Sequence, residues 1–186
     1  MSQQQKSISH IHSIRTYDNW ETPPELFFDA CARYNIFPEL DVCATYSNTK
    51  CPKWFEKRNG TDDNKHPDGK SVSWNQDFFM NPPYSEIEWW IGKAFYEHRK
   101  NNVNALILTF HKGSTKWWHK YVEGIAEVHN IVHRIKFLKD GKEPVTINKK
   151  TGKMQRNPAP YDSCWIVYMK DIPYFKLEPR VFPRRI

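Results

Sequence analysis

Asp77-Phe78-Phe79-Met80-Asn81-Pro82-Pro83-Tyr84-Ser85 is the stretch on which the reading of this chain turns. Phe78 to Met80 form an apolar run of the length of a short buried strand, and the two prolines after Asn81 neither donate to a sheet ladder nor continue it. The chain must therefore turn at the strand's C-terminal end, which in an open α/β sheet is where ligands bind. The Asn81 side-chain oxygen and the Pro82 carbonyl are two acceptors in fixed relation, able to take both hydrogens of one planar NH2 group. Those two bonds draw the nitrogen out of conjugation and aim its lone pair away from the protein. Tyr84 adds a ring face on which a flat base or amide can stack. The stretch holds no strong base and no nucleophile, so its chemistry is to present an amine to an electrophile bound nearby; a purely structural turn is the alternative.

Composition narrows the class. A chain of 186 residues suits one domain with one core. Aromatic residues make up 15% of it against a mean hydropathy of -0.80, which describes a soluble protein with flat side chains to spare. The formal charge of +7 and pI near 9.2 favour a polyanionic partner. No apolar run is long enough to span a bilayer and the N-terminus is too polar for a signal peptide, so no membrane association and a cytoplasmic setting are expected. Cys31, Cys43, Cys51 and Cys164 contain no CxxC pair and are read as reduced, mostly buried thiols; Cys43, Cys51 and His66 are too loosely spaced to count as a zinc set, and no metal is expected.

Residues 1–15 are polar and aperiodic, a flexible arm. Trp20-Glu21-Thr22-Pro23 opens the ordered part. Thr22, with Pro23 at the first helical position and Glu25 three residues on, reads as a capping box for a helix to about Tyr34 that buries Leu26, Phe27, Ala30 and Cys31. Trp20 and Thr22 then lie at a helix N-terminus, which favours a carboxylate. A short strand follows over residues 37–45, with Asp41 and small residues at its end. The seven glycines all lie elsewhere, so there is no phosphate-cradling loop, which argues against NAD, FAD and ATP.

Asn81-Pro82-Pro83-Tyr84 resembles motif IV of the amino-methyltransferases, and the Asn form is more similar to the adenine-N6 than to the cytosine-N4 enzymes. Trp20-x-Thr22-Pro23, Leu40-Asp41-Val42-Cys43-Ala44, Lys50-Cys51, Trp74, Phe79 to Ser85, Trp89, Lys93-Ala94, Thr115-Lys116-Trp117-Trp118-His119 and Ala159-Pro160-Tyr161-x-Ser163 fall in the order seen in the phage-type DNA N6-adenine methyltransferase family. The resemblance implies an α/β, reduced Rossmann-like methyltransferase fold, with a central mostly parallel sheet and flanking helices. It also implies S-adenosylmethionine as donor and adenine in DNA as acceptor. On it, Asn81, Pro82, Pro83 and Tyr84 are the candidate catalytic residues. Trp20, Thr22, Pro23, Asp41, Ala44 and Asn81 are the candidate cofactor residues, Asp41 facing the sulfonium, the amino group or a ribose hydroxyl. Phe110-His111-Lys112-Gly113 departs from the expected Leu-Pro-Ala-type turn at the wall of the target pocket.

The remaining chain completes the plan. About forty residues separate Asp41 from Asn81, room for one strand-helix unit, so the sheet is expected to be small. Residues 59–70 read as an irregular connection in which Asp62 or Asp63 either reaches a ribose or sits in a solvated turn; Asp77 either contacts the cofactor or begins the strand. A helix is expected over residues 86–100, a buried strand over 104–110, a helix carrying Trp117, Trp118 and Tyr121, strand material over 128–138 and a closing strand over 164–169. Residues 139–160 read as a basic hairpin in a domain running from 16 to 175, with a basic tail at 176–186. Lys142, Lys149, Lys150, Lys153 and Arg156 are candidate contacts to DNA phosphates, joined by Ser85 beside the motif. An RNA or protein-glutamine methyltransferase, or a non-catalytic nucleic-acid-binding module, remains open from the residues alone.

Overall fold

The computed structural model describes residues 18–56, 67–147, 151–152, 154–156 and 159–171. In chain order these form helix α1 (Pro24–Tyr34), strands β1 (Leu40–Ala44), β2 (Lys53–Glu56) and β3 (Phe78–Met80), helix α2 (Ile87–Asn101), strand β4 (Ala105–Phe110), helix α3 (Lys116–Tyr121), and strands β5 (Glu127–Asn130), β6 (Val145–Ile147), β7 (Met154–Arg156) and β8 (Ser163–Tyr168). Alternate side chains of the central strands leave opposite faces of the sheet, and both sets are apolar, so both faces must be covered. Leu40, Val42, Phe78, Met80, Ala105 and Ile107 pack with Trp90, Ile91 and Ala94 of α2 and with Trp117, Trp118 and Tyr121 of α3. Phe79, Leu106, Leu108 and Phe110 pack on the other side with Phe27, Ala30 and Cys31 of α1. The result is a three-layer α/β arrangement, as the sequence led us to expect.

The six-stranded sheet has the order β2-β1-β3-β4-β8-β5. β2, β1, β3 and β4 run parallel, whereas β8 is antiparallel to both its neighbours. β8 is thus the penultimate strand and β5 the edge, where the sequence had β8 closing the sheet. Residues 131–138 contribute one isolated bridge, Leu138 to Glu21, in place of the further strand expected there. The chain leaves β1 outward to β2 and returns on the other side to β3, so the strand order reverses between β1 and β3, the switch point at which such sheets form ligand crevices. Gly69 makes the outer crossing fit: a Cβ there would sit 2.3 Å from the Val42 carbonyl oxygen.

β6 and β7 form the expected hairpin, outside the main sheet. Before it, residues 139–142 make a tight turn with Asp140 and Gly141 both at positive φ (52° and 72°), the type I′ pattern of two-residue loops. Lys149, Lys150, Lys153, His66, Asp62, Asp63, the N-terminal arm and the basic tail lie outside the described residues. The cysteines are free, with Cys31, Cys51 and Cys164 buried; burial pushes the Cys31 and Cys164 thiols up to about 11 and about 12. Among the described residues no group of side chains could hold a metal ion, and no helix is long and apolar enough to cross a membrane.

Two acidic residues anchor the frame. Asp77 accepts the Asn104 backbone amide at 2.8 Å and its side-chain amide at 2.7 Å, tying the starts of β3 and β4 together at the end of the sheet away from Asn81. Of the two readings open for Asp77, this is the structural one. Glu97 accepts bonds from Ser73 Oγ, the Trp74 amide, Asn101 Nδ2 and Lys93 Nζ at 2.8 to 3.0 Å. Burial alone would raise its pKa, but these donors outweigh it and hold the carboxyl below its ordinary value. Breaking a buried, fully partnered ion pair is costly, so Glu97→Ala is expected to destabilise by about 3 kcal/mol, read as a lower urea midpoint. Glu39→Ala, at a carboxylate whose side chain is 63% exposed, is expected to cost less than about 1 kcal/mol.

Candidate active site

β3 ends at Met80, and the next residue, Asn81, emerges at the C-terminal edge of the sheet beside the end of β1. Pro82 and Pro83 are buried, and a single 3-10 turn over Tyr84–Glu86 follows directly. Asn81 Nδ2 donates to the Trp20 carbonyl at 2.9 Å. This bond fixes which half of the carboxamide is the donor. The oxygen Oδ1 is left as the acceptor, approached by the Tyr84 hydroxyl at a long 3.5 Å.

A cavity of about 290 Å³ opens against this corner, lined by Trp20, Thr22, Asp41, Ala44, Asn81 and Pro83 among others. It lies at the C-terminal ends of β1 and β3, the switch point described above. Five of the six residues expected to hold a cofactor line it; Pro23 does not. Pro82 and Tyr84 are also outside the lining.

Two of the lining groups lack what a buried polar group needs. The Thr22 hydroxyl is buried with no hydrogen-bond partner among the described residues, an arrangement that costs free energy unless a ligand or water supplies the bond. The expected capping box is absent: Pro23 occupies the cap position at φ -57°, ψ 134° and Pro24 is the first helical residue, so Thr22 faces the cavity instead. Because neither proline carries an N–H, two of the four donors at the start of α1 are missing, and the helix terminus is a poorer carboxylate site than its sequence promised. Asp41 is the second group. Its carboxylate accepts the Cys43 and Lys50 backbone amides at 3.3 and 3.1 Å, and no cationic side chain bonds it among the described residues. Burial pushes its pKa up to about 6 despite those two bonds. Lys50 also lines the cavity and is itself pushed down by burial, against the pull of Asp41 and Glu21.

Tyr84 stacks on Phe110, with ring centroids 4.0 Å apart and planes 12° from parallel. Tyr161 meets Phe110 edge-on at 5.2 Å, and Lys112 Nζ sits 4.0 Å from the Tyr161 ring centre. The departure noted at residues 110–113 therefore supplies an aromatic backing to Tyr84. Burial raises the Tyr84 hydroxyl well above its ordinary pKa, so it stays protonated.

Of the residues expected at DNA, Ser85 is exposed, but its Oγ and N–H both donate to Asp18, at 2.6 and 3.0 Å. Lys142 is exposed in the tight turn, Arg156 lies in β7, and the other three lie outside the described residues. Sequence reasoning missed Asp18, Glu21, Asn48, Lys50 and Lys139 as cavity wall. For Glu21 the signal was its place between Trp20 and Thr22; for the others nothing local marks them.

Residues 9–172 match the family model described as DNA N-6-adenine-methyltransferase (Dam). The chain is 30% identical over 157 residues to the DNA N-6-adenine-methyltransferase of Haemophilus phage HP1, covering 82% of this chain and 86% of that protein. It is also 30% identical over 111 residues to the DNA N-6-adenine-methyltransferase of Escherichia phage T1, covering 60% of this chain and 43% of that protein.

The raised Asp41 pKa makes a prediction about stability. Relative to an ordinary carboxyl, the folded state holds this proton more tightly, so ionising Asp41 costs stability as pH rises from about 4 to about 6. The difference in unfolding free energy between Asp41→Asn and the parent, followed by urea titration, is expected to climb by on the order of 3 kcal/mol across that window and then level off. A difference independent of pH would mean that Asp41 is ionised without penalty.

Proposed function

The chain belongs to the DNA N-6-adenine-methyltransferase (Dam) family, and on that premise we propose that its cavity holds S-adenosylmethionine while the Asn81 corner presents the N6 amino group of adenine in DNA. What carries the reading is the Asn81 carboxamide, anchored through Nδ2 to Trp20 so that Oδ1 remains an acceptor at the wall of the cavity. The residues suit the donor. Among the described residues, Asp41 is a buried anion bonded by two backbone amides, matched to a cation or a ribose hydroxyl, and Thr22 Oγ1 is a buried hydroxyl with no partner. Ala44, small and buried at the end of β1, leaves room beside them. Bound there, the cofactor supplies a methyl group made electrophilic by its sulfonium.

The protein's own part is to hold and orient. Asn81 Oδ1 and the Pro82 carbonyl accept the two amino hydrogens and turn the nitrogen lone pair outward. Pro82 and Pro83 keep the two oxygens in fixed relation. Tyr84, backed on one face by Phe110, offers the other to the base. Such stacking contributes on the order of 1 to 3 kcal/mol per base, which offsets the few kcal/mol needed to extrude a nucleotide from the duplex. No side chain of the corner is a strong base, and the rate gain comes from positioning.

Lys142, Lys149, Lys150, Lys153 and Arg156 are assigned to the DNA backbone, on the ground that they cluster in one basic stretch of sequence whose described strands, β6 and β7, pair outside the main sheet. The hydroxyl and amide of Ser85 are engaged by Asp18, which speaks against Ser85 as a direct DNA contact.

Asn81→Ala is expected to abolish methyl transfer to duplex DNA, a loss beyond about a thousandfold, while calorimetry finds cofactor affinity changed by less than about tenfold. Undiminished turnover would remove the mechanism. Replacing Lys149, Lys150 and Arg156 together by Ala is expected to weaken DNA binding and to flatten its salt dependence by roughly 0.9 per lost phosphate contact. An unaltered slope would place the phosphate contacts elsewhere.

A further inference from the structure

The turn that carries Asn81, Tyr84 and Ser85 is gripped from outside by a segment far away in sequence. Pro82 and Pro83 fix their own φ angles, which leaves two freedoms: rotation of the Asn81 carboxamide and the entry into the 3-10 turn at Tyr84 and Ser85. Both are restrained by residues 18–20. The Trp20 carbonyl takes Asn81 Nδ2 at 2.9 Å, and the two carboxylate oxygens of Asp18 take the Ser85 N–H at 3.0 Å and its hydroxyl at 2.6 Å, across 67 positions of sequence. The segment is itself fixed. Glu21 exchanges two backbone bonds with Leu138 at 2.9 Å, and its carboxylate accepts the Asp140 and Gly141 amides of the tight turn at 3.1 and 3.2 Å. The Trp20 ring packs on Phe137 with centroids 5.1 Å apart.

We propose that Asp18 is a positioning residue for methyl transfer, acting through Ser85 to hold the turn in which Tyr84 and Asn81 meet the target base. The proposal rests on the reading of Asn81 as the acceptor corner. Half-buried Asp18 engages Ser85 with both carboxylate oxygens across 67 positions of sequence, so the contact is a tertiary tie and not a local cap. Charge-assisted bonds of this kind are the strong ones, and a displacement of the corner by about 1 Å is enough to cost on the order of a hundredfold in rate. Asp18 also stands at the cavity wall, so its effect on cofactor binding has to be measured apart from its effect on turnover.

The test compares Asp18→Ala, Asp18→Asn, Ser85→Ala and the Asp18→Ala/Ser85→Ala pair with the parent and with Asn81→Ala. Each is assayed for kcat and KM on a duplex substrate and, by calorimetry, for S-adenosylmethionine affinity. In Asp18→Ala we expect kcat to fall on the order of 10- to 100-fold, with KM for DNA and the cofactor Kd within about threefold of the parent. Asn keeps an acceptor for the Ser85 N–H, so Asp18→Asn is expected to recover part of the loss, and the Asp18→Ala effect is expected to shrink in the Ser85→Ala background. If Asp18→Ala does not fold, the fall in kcat of Asp18→Asn carries the test. A parental kcat in the folded Asp18 variants, or a loss confined to DNA KM or to cofactor Kd, overturns the positioning role. Retained turnover in Asn81→Ala overturns the corner reading beneath it, and the two failures are told apart by that one variant.

Discussion

The bond from Asn81 Nδ2 to the Trp20 carbonyl joins positions 61 residues apart, and the architecture of the site depends on it. β3 has only three residues and is followed by prolines that cannot extend the ladder, so no sheet hydrogen bond orients what comes next. A free carboxamide would rotate and present either its donor or its acceptor. By consuming the donor, Trp20 leaves the oxygen as the acceptor of that carboxamide. The same contact draws residues 18–22 over the ends of β1 and β3, where they become the wall of the cavity.

Two buried carboxylates sit in opposite surroundings. Glu97 is met by four donors and its pKa is held down. It belongs to α2 itself, away from the cavity beside Asn81, and serves the frame. Asp41 is more deeply buried yet, among the described residues, is bonded only by two backbone amides, with its pKa pushed up and its side chain at a cavity. A strongly perturbed group in a cleft is a marker of function where the same group in a closed network is not. Thr22, a hydroxyl buried in the same cavity with no partner among the described residues, belongs with Asp41. The stability given up at these two positions is what a bound ligand can restore.

The fold was legible where the signal is local. The Pro-Pro turn, the apolar run of β4 and the helical periodicity over residues 86–100 each report on neighbours a few residues away, and each led to the right element. The hairpin within residues 139–160 was legible too, and β6 and β7 pair there. What failed depended on backbone geometry or on distant partners. Thr22 looked like a cap because its residue type and spacing fit one, but consecutive prolines moved the helix start by one position and turned its hydroxyl to the cavity. Trp20 acts here through a carbonyl, which no residue code records. Ser85 reads in the sequence as a polar group beside the motif, and its intramolecular partner, Asp18, lies 67 positions away where no local signal points to it. The order of the last strands depends on pairings that periodicity does not encode.

The central claim is that one corner of carboxamide and backbone grips the amino group of adenine beside a bound sulfonium compound. The most direct test is nucleoside mass spectrometry of duplex DNA incubated with the protein and S-adenosylmethionine carrying a deuterated methyl group. The account predicts that the label appears on N6 of adenine. Label on cytosine or on protein glutamine in its place, or no transfer from a protein shown to bind both substrates, would contradict it.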